Sequence, residues 1–204
     1  MSLASSETPT LCGERLSFDN RFAVVDSAKA DGWNLRGSGA FSRVLVKDDQ
    51  ALKIFFDDAY LQYITSDLVK RGSEATPRLL SPVIYGDRLN AVFLEALVHW
   101  SFTEEVSNIV FGLDMVAEDI FDYGLDVAIK SFQSSDFQSA HDWLKPSGVT
   151  FFIELLKFID KTKFRPDISS TNLMMRKSTG QAVFSDPVAQ PVSHLLTFFT
   201  KEDR

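Results

Sequence analysis

Cysteine occurs once in this chain, at Cys12, so no disulfide can form within it and the sequence suits a reducing compartment. Histidine occurs three times, at His99, His141 and His194, too few with a single thiol to build a zinc cluster. No apolar run approaches the roughly 18 residues that a membrane-spanning helix needs. The longest, 149–159, is interrupted by Glu154 and Lys157. The opening MSLASSETPT lacks the basic region and apolar core of a secretory signal. Positive charge is scarce as well. Lys and Arg number 21 against 28 Asp and Glu, giving a net charge of −7 and a pI near 5.0. That balance argues against a broad electrostatic grip on nucleic acid. These absences lead to the expectation of a soluble, intracellular protein with neither nucleic acid nor membrane as partner.

What is present suffices for one substantial core: 204 residues, 45% hydrophobic and 12% aromatic. The expectation is one compact α+β unit with two lobes. Phe18, Phe22 and Val25 fall at helical spacing within 16–30. From Trp33 to Phe56 the pattern changes to strand, glycine turn, strand, acidic turn and strand, an antiparallel three-stranded sheet. A helix is expected over 57–70, with Tyr60, Tyr63, Ile64 and Leu68 as its buried stripe. Two extended stretches, 79–85 and 90–97, follow around Gly86-Asp87-Arg88. Helices are then expected over 103–121, with Thr103 as N-cap, over 123–132, and over 146–162, with 133–139 as a loop. A last amphipathic helix is expected around Leu195, Leu196, Phe198 and Phe199.

The chemistry concentrates in FRPDISSTNLMMRKSTGQAVFSDP, residues 164–187. Two short strands flank the polar turn Lys177-Ser178-Thr179-Gly180, which folds Asp186 back beside Asn172. Asp167, Asn172 and Asp186 then converge, and three such oxygen donors suit Mg2+, which keeps waters and takes phosphate oxygens. Upstream lies the glycine-rich hairpin Gly37-Ser38-Gly39-Ala40-Phe41-Ser42, where bare backbone allows amides to approach phosphate. The competing reading of that segment is a flexible turn. Lys53 sits inside the apolar run Ala51-Leu52-Lys53-Ile54, where a buried ammonium needs an anion. At an edge strand it would instead snorkel to water.

In that order, with Val92-Phe93-Leu94-Glu95-Ala96-Leu97 between, these motifs resemble a protein kinase. Asp167-Ile168-Ser169-Ser170-Thr171-Asn172-Leu173-Met174 and Ser185-Asp186-Pro187-Val188 resemble most closely the small early serine/threonine protein kinases of T-odd-like podophages, which share Asp-Pro where most kinases have Asp-Phe-Gly. The likeness covers roughly 30–188. It implies a minimal two-lobed protein-kinase-like fold, with an antiparallel-sheet N-lobe over 1–97 and a truncated helical C-lobe over 98–204. By position, Gly37, Gly39, Ser42, Val44, Ala51 and Lys53 would bind ATP, with backbone near Glu95 and Leu97 reading the adenine. Asp167 would accept the proton of the attacking hydroxyl, and Asn172 and Asp186 would hold Mg2+. The resemblance further implies phosphorylation of host proteins in the host cytoplasm, transcription machinery among them, and shut-off of host gene expression.

The chain also departs from the family. No glutamate lies between Lys53 and Glu74 to pair with the lysine, which leaves Asp57, Asp58 and Asp67 open. Arg165-Pro166 precedes the catalytic aspartate, so the arginine that reads activation-loop phosphate is missing. Ser169 replaces a frequent lysine, and Arg36 stands at a usually apolar position. The short stretch after Pro187 cannot build the usual peptide-docking helices, which shifts substrate holding to other surfaces such as the acidic 103–123 helix. Two alternatives stay open: a kinase-like protein that blocks a host enzyme or defence factor by binding, and a small-molecule phosphotransferase. The latter usually has histidine where Arg165 stands.

Overall fold

The computed structural model describes residues 9–101 and 103–190. The architecture is α+β, and the described residues divide into two units, 9–57 with 79–96, and 58–78 with 97–190. The expected terminal helix around Leu195 to Phe199 lies outside the described residues. Among the described residues no helix is long and apolar enough to cross a membrane.

The first unit opens with a small hairpin, β1 (Thr10–Leu11) and β2 (Glu14–Arg15), and a helix, α1 (Arg21–Ala30). The helix begins five residues later than the apolar spacing suggested. Phe18 lies before it, edge-on to Phe56 with ring centroids 4.9 Å apart, and Val24, Val25 and Ala28 are the buried helical positions. Five antiparallel strands follow: β3 (Asn34–Ser38), β4 (Ser42–Lys47), β5 (Gln50–Phe55), β6 (Ile84–Tyr85) and β7 (Asn90–Glu95), in the spatial order β3-β4-β5-β7-β6. Alternation decides the core. Leu45, Leu52, Ile54, Ala91 and Phe93 face one side and pack with Leu11, Leu16 and the buried positions of α1. The expected strand 79–85 meets β7 at both ends, Leu79 bridging Leu94 with Leu80 N donating to Phe93 O at 2.8 Å and Ile84–Tyr85 forming β6, and it is interrupted around Pro82, which has no N–H to donate. Gly86 closes the β6–β7 turn, and no other residue fits there. A Cβ would overlap the carbonyl oxygens of Leu16 and Leu89.

The second unit starts with α2 (Asp58–Thr65) and α3 (Asp67–Lys70). The sequence implied one helix here, and Ser66 explains the break. Its hydroxyl donates to Tyr63 O at 2.6 Å, a local bond that competes with helical continuation. Leu68 consequently leaves the buried stripe and Val69 replaces it. The helices α4 (Glu104–Tyr123), α5 (Leu125–Phe132) and α6 (Gln138–Thr162) come next. Thr103 caps α4 as expected, its hydroxyl accepting from Val106 N at 3.3 Å. The expected loop at 133–139 contains a short 3-10 turn at Ser135–Phe137 and the first residues of α6.

Helix α6 is broken at Lys145, whose φ of 60° and ψ of 167° lie outside any helical range. The residue before a proline is barred from the α region, so Pro146 forces the break and then starts the second helical segment. The freed carbonyl of Leu144 accepts from the buried Gln181 Nε2 at 2.8 Å. Residues other than glycine are strained at such angles by about 1–3 kcal/mol. Lys145→Gly is therefore expected to raise stability by about 1 kcal/mol net of the glycine's greater freedom when unfolded. Lys145→Ala, which keeps the Cβ, should not. Thermal melts of the two variants check this, and a glycine variant melting at or below wild type would refute the strain.

Four short strands complete the unit: β8 (Arg165–Pro166), β9 (Leu173–Arg176), β10 (Gln181–Phe184) and β11 (Val188–Ala189). β9 and β10 form the expected hairpin, turned at Gly180 with a left-handed φ of 66°. β8 pairs antiparallel with β11.

Candidate functional site

In the first unit, register places Gly37, Val44, Lys53 and Val92 in one row across the sheet, with Val46, Ala51 and Leu94 in the next. Paired residues and those two apart share a face. Gly37, Ser42, Val44, Ala51 and Lys53 therefore lie together on the face opposite the α1 core. Lys53 is only 4% exposed. The glycine turn is fastened from its own strand: Gly39 N donates to Ser42 O at 3.0 Å, and Arg43 Nη1 donates to Gly39 O and Ser42 O at 2.7 Å each. Neither Gly37 nor Gly39 has a left-handed φ. A Cβ on them would meet Val44 Cβ at 3.5 Å and Ser42 Oγ at 3.4 Å, ordinary contacts. The chain itself does not demand glycine at these two positions. Arg36 is the extra residue of a bulge between Leu35 and Gly37, and it is exposed.

Three acids were open as partners for Lys53. Asp57 is buried, while Asp58 and Asp67 are exposed. Glu95 ends β7 opposite Gln50, and Ala96 N donates to Asp49 O at 2.9 Å. Leu97 makes no backbone–backbone hydrogen bond with another described residue, and its neighbour Val98 exchanges two with Met175, Val98 N donating to Met175 O at 3.0 Å and Met175 N to Val98 O at 2.8 Å.

In the second unit, backbone hydrogen bonds tie Asp167, Asn172 and Asp186 into one knot. Asp167 N donates to Pro187 O at 2.9 Å, and Asn172 Nδ2 donates to Asp167 O at 3.0 Å. Asn172 O in turn accepts from Ser185 N and Ser185 Oγ, both at 2.8 Å, and from Asp186 N at 3.4 Å. The main chain of Asp167 is thus held at both its N–H and its C=O. With Nδ2 engaged, Asn172 has Oδ1 as its remaining side-chain ligand atom. Among the described residues no group of three or more His, Cys, Asp or Glu could hold a metal ion. The knot offers two carboxylates and an amide, a donor set that fits a hard cation completing its shell with water and phosphate oxygens. No family model and no characterised protein sequence matches this chain.

Sequence reasoning missed three supports of the knot. Ile168 N donates to Asp114 Oδ1 at 3.1 Å, a contact 54 residues apart in sequence. Arg176, 2% exposed, donates to Glu74 O and, at 2.8 Å, to Thr76 O. Tyr63, fully buried, donates to Phe184 O at 2.6 Å. An arginine inside a short apolar strand was the one visible signal. The other two contacts depend on chain reversals that no local pattern records.

Burial pushes the Tyr63 phenol well above the usual tyrosine range, and the charge of Asp186 adds to the shift. The folded state therefore favours the neutral phenol. Its contribution is complete below about pH 10, where the unfolded chain's tyrosines begin to ionise, and is lost as pH rises beyond that. Above pH 10 wild-type stability should fall about 1.4 kcal/mol per pH unit more steeply than that of Tyr63→Phe. Urea titrations at pH 8, 10 and 11 measure this; parallel curves for the two proteins would contradict the assignment.

Proposed function

We propose that this chain is an ATP- and Mg2+-dependent serine/threonine protein kinase of a bacteriophage, of minimal two-lobed kinase-like fold, acting on host proteins in the host cytoplasm. The observation that carries this reading is the knot of Asp167, Asn172 and Asp186, in which one aspartate is fixed through its main chain and an amide keeps a free oxygen. The common sheet face of Gly37, Val44, Ala51 and Lys53 supports it independently. So do the two glycines that the chain's own packing leaves unexplained.

In this reading Lys53 holds the α- and β-phosphates, and Gly37, Gly39 and Ser42 cover them. Val44 and Ala51 line the base, whose edge meets backbone near Glu95 and Leu97. Asn172 and Asp186 hold Mg2+, which neutralises charge on the phosphates. Asp167 orients the serine or threonine hydroxyl and accepts its proton as the new O–P bond forms and ADP leaves. Substrates reach an acidic surface: 104–129 holds seven carboxylates and no Lys or Arg. Basic segments of host proteins, transcription machinery among them, suit it, and their modification would contribute to shut-off of host gene expression.

The alternative, a kinase-like protein that inhibits a host enzyme or defence factor by binding alone, is favoured by one observation. Helix α2 carries no glutamate, and its single acid, Asp58, is exposed. Incubation with labelled ATP, Mg2+ and host lysate separates the two readings. Labelling that depends on Asp167 supports the kinase. Full biological effect retained by both Lys53→Ala and Asp186→Ala supports the inhibitor.

A further inference from the structure

We infer that Asp114 is a positioning residue for the loop carrying Asp167, acting through the Ile168 amide. The peptide joining Asp167 to Ile168 is gripped at both ends. Its carbonyl accepts from Asn172 Nδ2 at 3.0 Å and its N–H donates to Asp114 Oδ1 at 3.1 Å. Asp167 N is held by Pro187 O. Two of these three restraints arise within 165–187 itself; Asp114, on α4, supplies the one from outside. Ile168 is buried, so without Asp114 its amide would have no acceptor and little access to water. The loop would be expected to rotate, and Asp167 with it. A carboxylate accepting from a backbone amide makes a stronger bond than a neutral acceptor does. One helical turn on, Glu118 Oε1 lies 3.6 Å from Arg165 Nη2, but both side chains are substantially exposed and the pair is weak. Glu118 therefore serves as the control.

The proposal rests on the kinase reading for its kinetic consequence but not for its structural one, and the experiment separates the two. Asp114→Ala should exchange the Ile168 amide at least about tenfold faster than wild type. It should also lower kcat about 10–100-fold with KM for ATP within about threefold, as loss of a supporting contact around a reactive group does. Asp114→Asn keeps an acceptor oxygen and should restore both quantities to within about threefold of wild type. Glu118→Ala should leave exchange of the Ile168 amide at the wild-type rate. Melting temperatures of all variants identify any that fail to fold, and Asp114→Asn then carries the comparison against Asp114→Leu. Wild-type exchange at Ile168 in the alanine variant would overturn the proposal, as would faster exchange with unchanged kcat. A wild type that transfers no phosphate sinks the kinase reading alone; the exchange comparison still decides whether Asp114 orders the loop.

Discussion

Asp167→Ala will bind ATP with Mg2+ as wild type does and transfer phosphate about 10²–10⁴-fold more slowly, the usual contribution of a placed general base. The reason lies in how the two aspartates are held. Asp167 is fixed by its own N–H and C=O, to Pro187 O and from Asn172 Nδ2, bonds that an alanine main chain keeps. Truncating the side chain therefore removes the proposed proton acceptor and leaves the loop in place. Asp186→Ala should behave differently. It removes the single carboxylate from the proposed metal site, leaving only the Asn172 amide, so Mg2+-dependent nucleotide binding should weaken before transfer is measured. A thermal-shift titration with ATP in the presence and absence of Mg2+ separates the variants, since a ligand binding only the folded state raises its stability. Equal labelling by wild type and Asp167→Ala would remove Asp167 from the chemistry. Identical losses of Mg2+-dependent binding in both variants would remove the division of roles.

Arg176→Met should cost roughly 2–6 kcal/mol, counting about 1–3 kcal/mol for each carbonyl left without its donor. Methionine keeps the apolar stem and approximate volume, so little of that loss is cavity. What disappears is the guanidinium fork on Glu74 O and Thr76 O. Those bonds, with Phe184 N donating to Ala75 O at 2.9 Å, lay 74–76 along the β9–β10 hairpin that carries Asn172 and Asp186 at its ends. The melting temperature should fall by roughly 5–20 °C. Arg176→Lys should recover only part of it, because a single ammonium cannot match a planar fork aimed at two oxygens. If Arg176→Met melts within about 2 °C of wild type, the fork is not what holds this segment.

Much of the local structure was legible because local chemistry governs it. The turn Lys177–Gly180 between two apolar pairs specified the hairpin, and the glycine turn and the acidic turn at Asp48-Asp49-Gln50 specified the three strands between Trp33 and Phe56. Thr103 followed by Glu104 and Glu105 marked the start of α4. Failures came where one side chain overruled the average pattern. The Ser66 hydroxyl ends α2, Pro82 lies in the gap of the edge strand, and Pro146 breaks α6 after a helical stretch that 138–144 did not advertise.

By itself the sequence determined the strands of 33–56 and 90–95, the hairpin of 173–184 and most helices, and the order of acid, amide and acid that brings Asn172 and Asp186 to the two ends of that hairpin. Only the tertiary structure decided what braces that hairpin and the loop before it: Asp114 on Ile168, Arg176 on Glu74 and Thr76, Tyr63 on Phe184. Periodicity reports which face of an element is apolar, a property of neighbours in sequence. A hydrogen bond between residues 54 to 121 positions apart depends on where whole elements come to rest, and no local pattern encodes that.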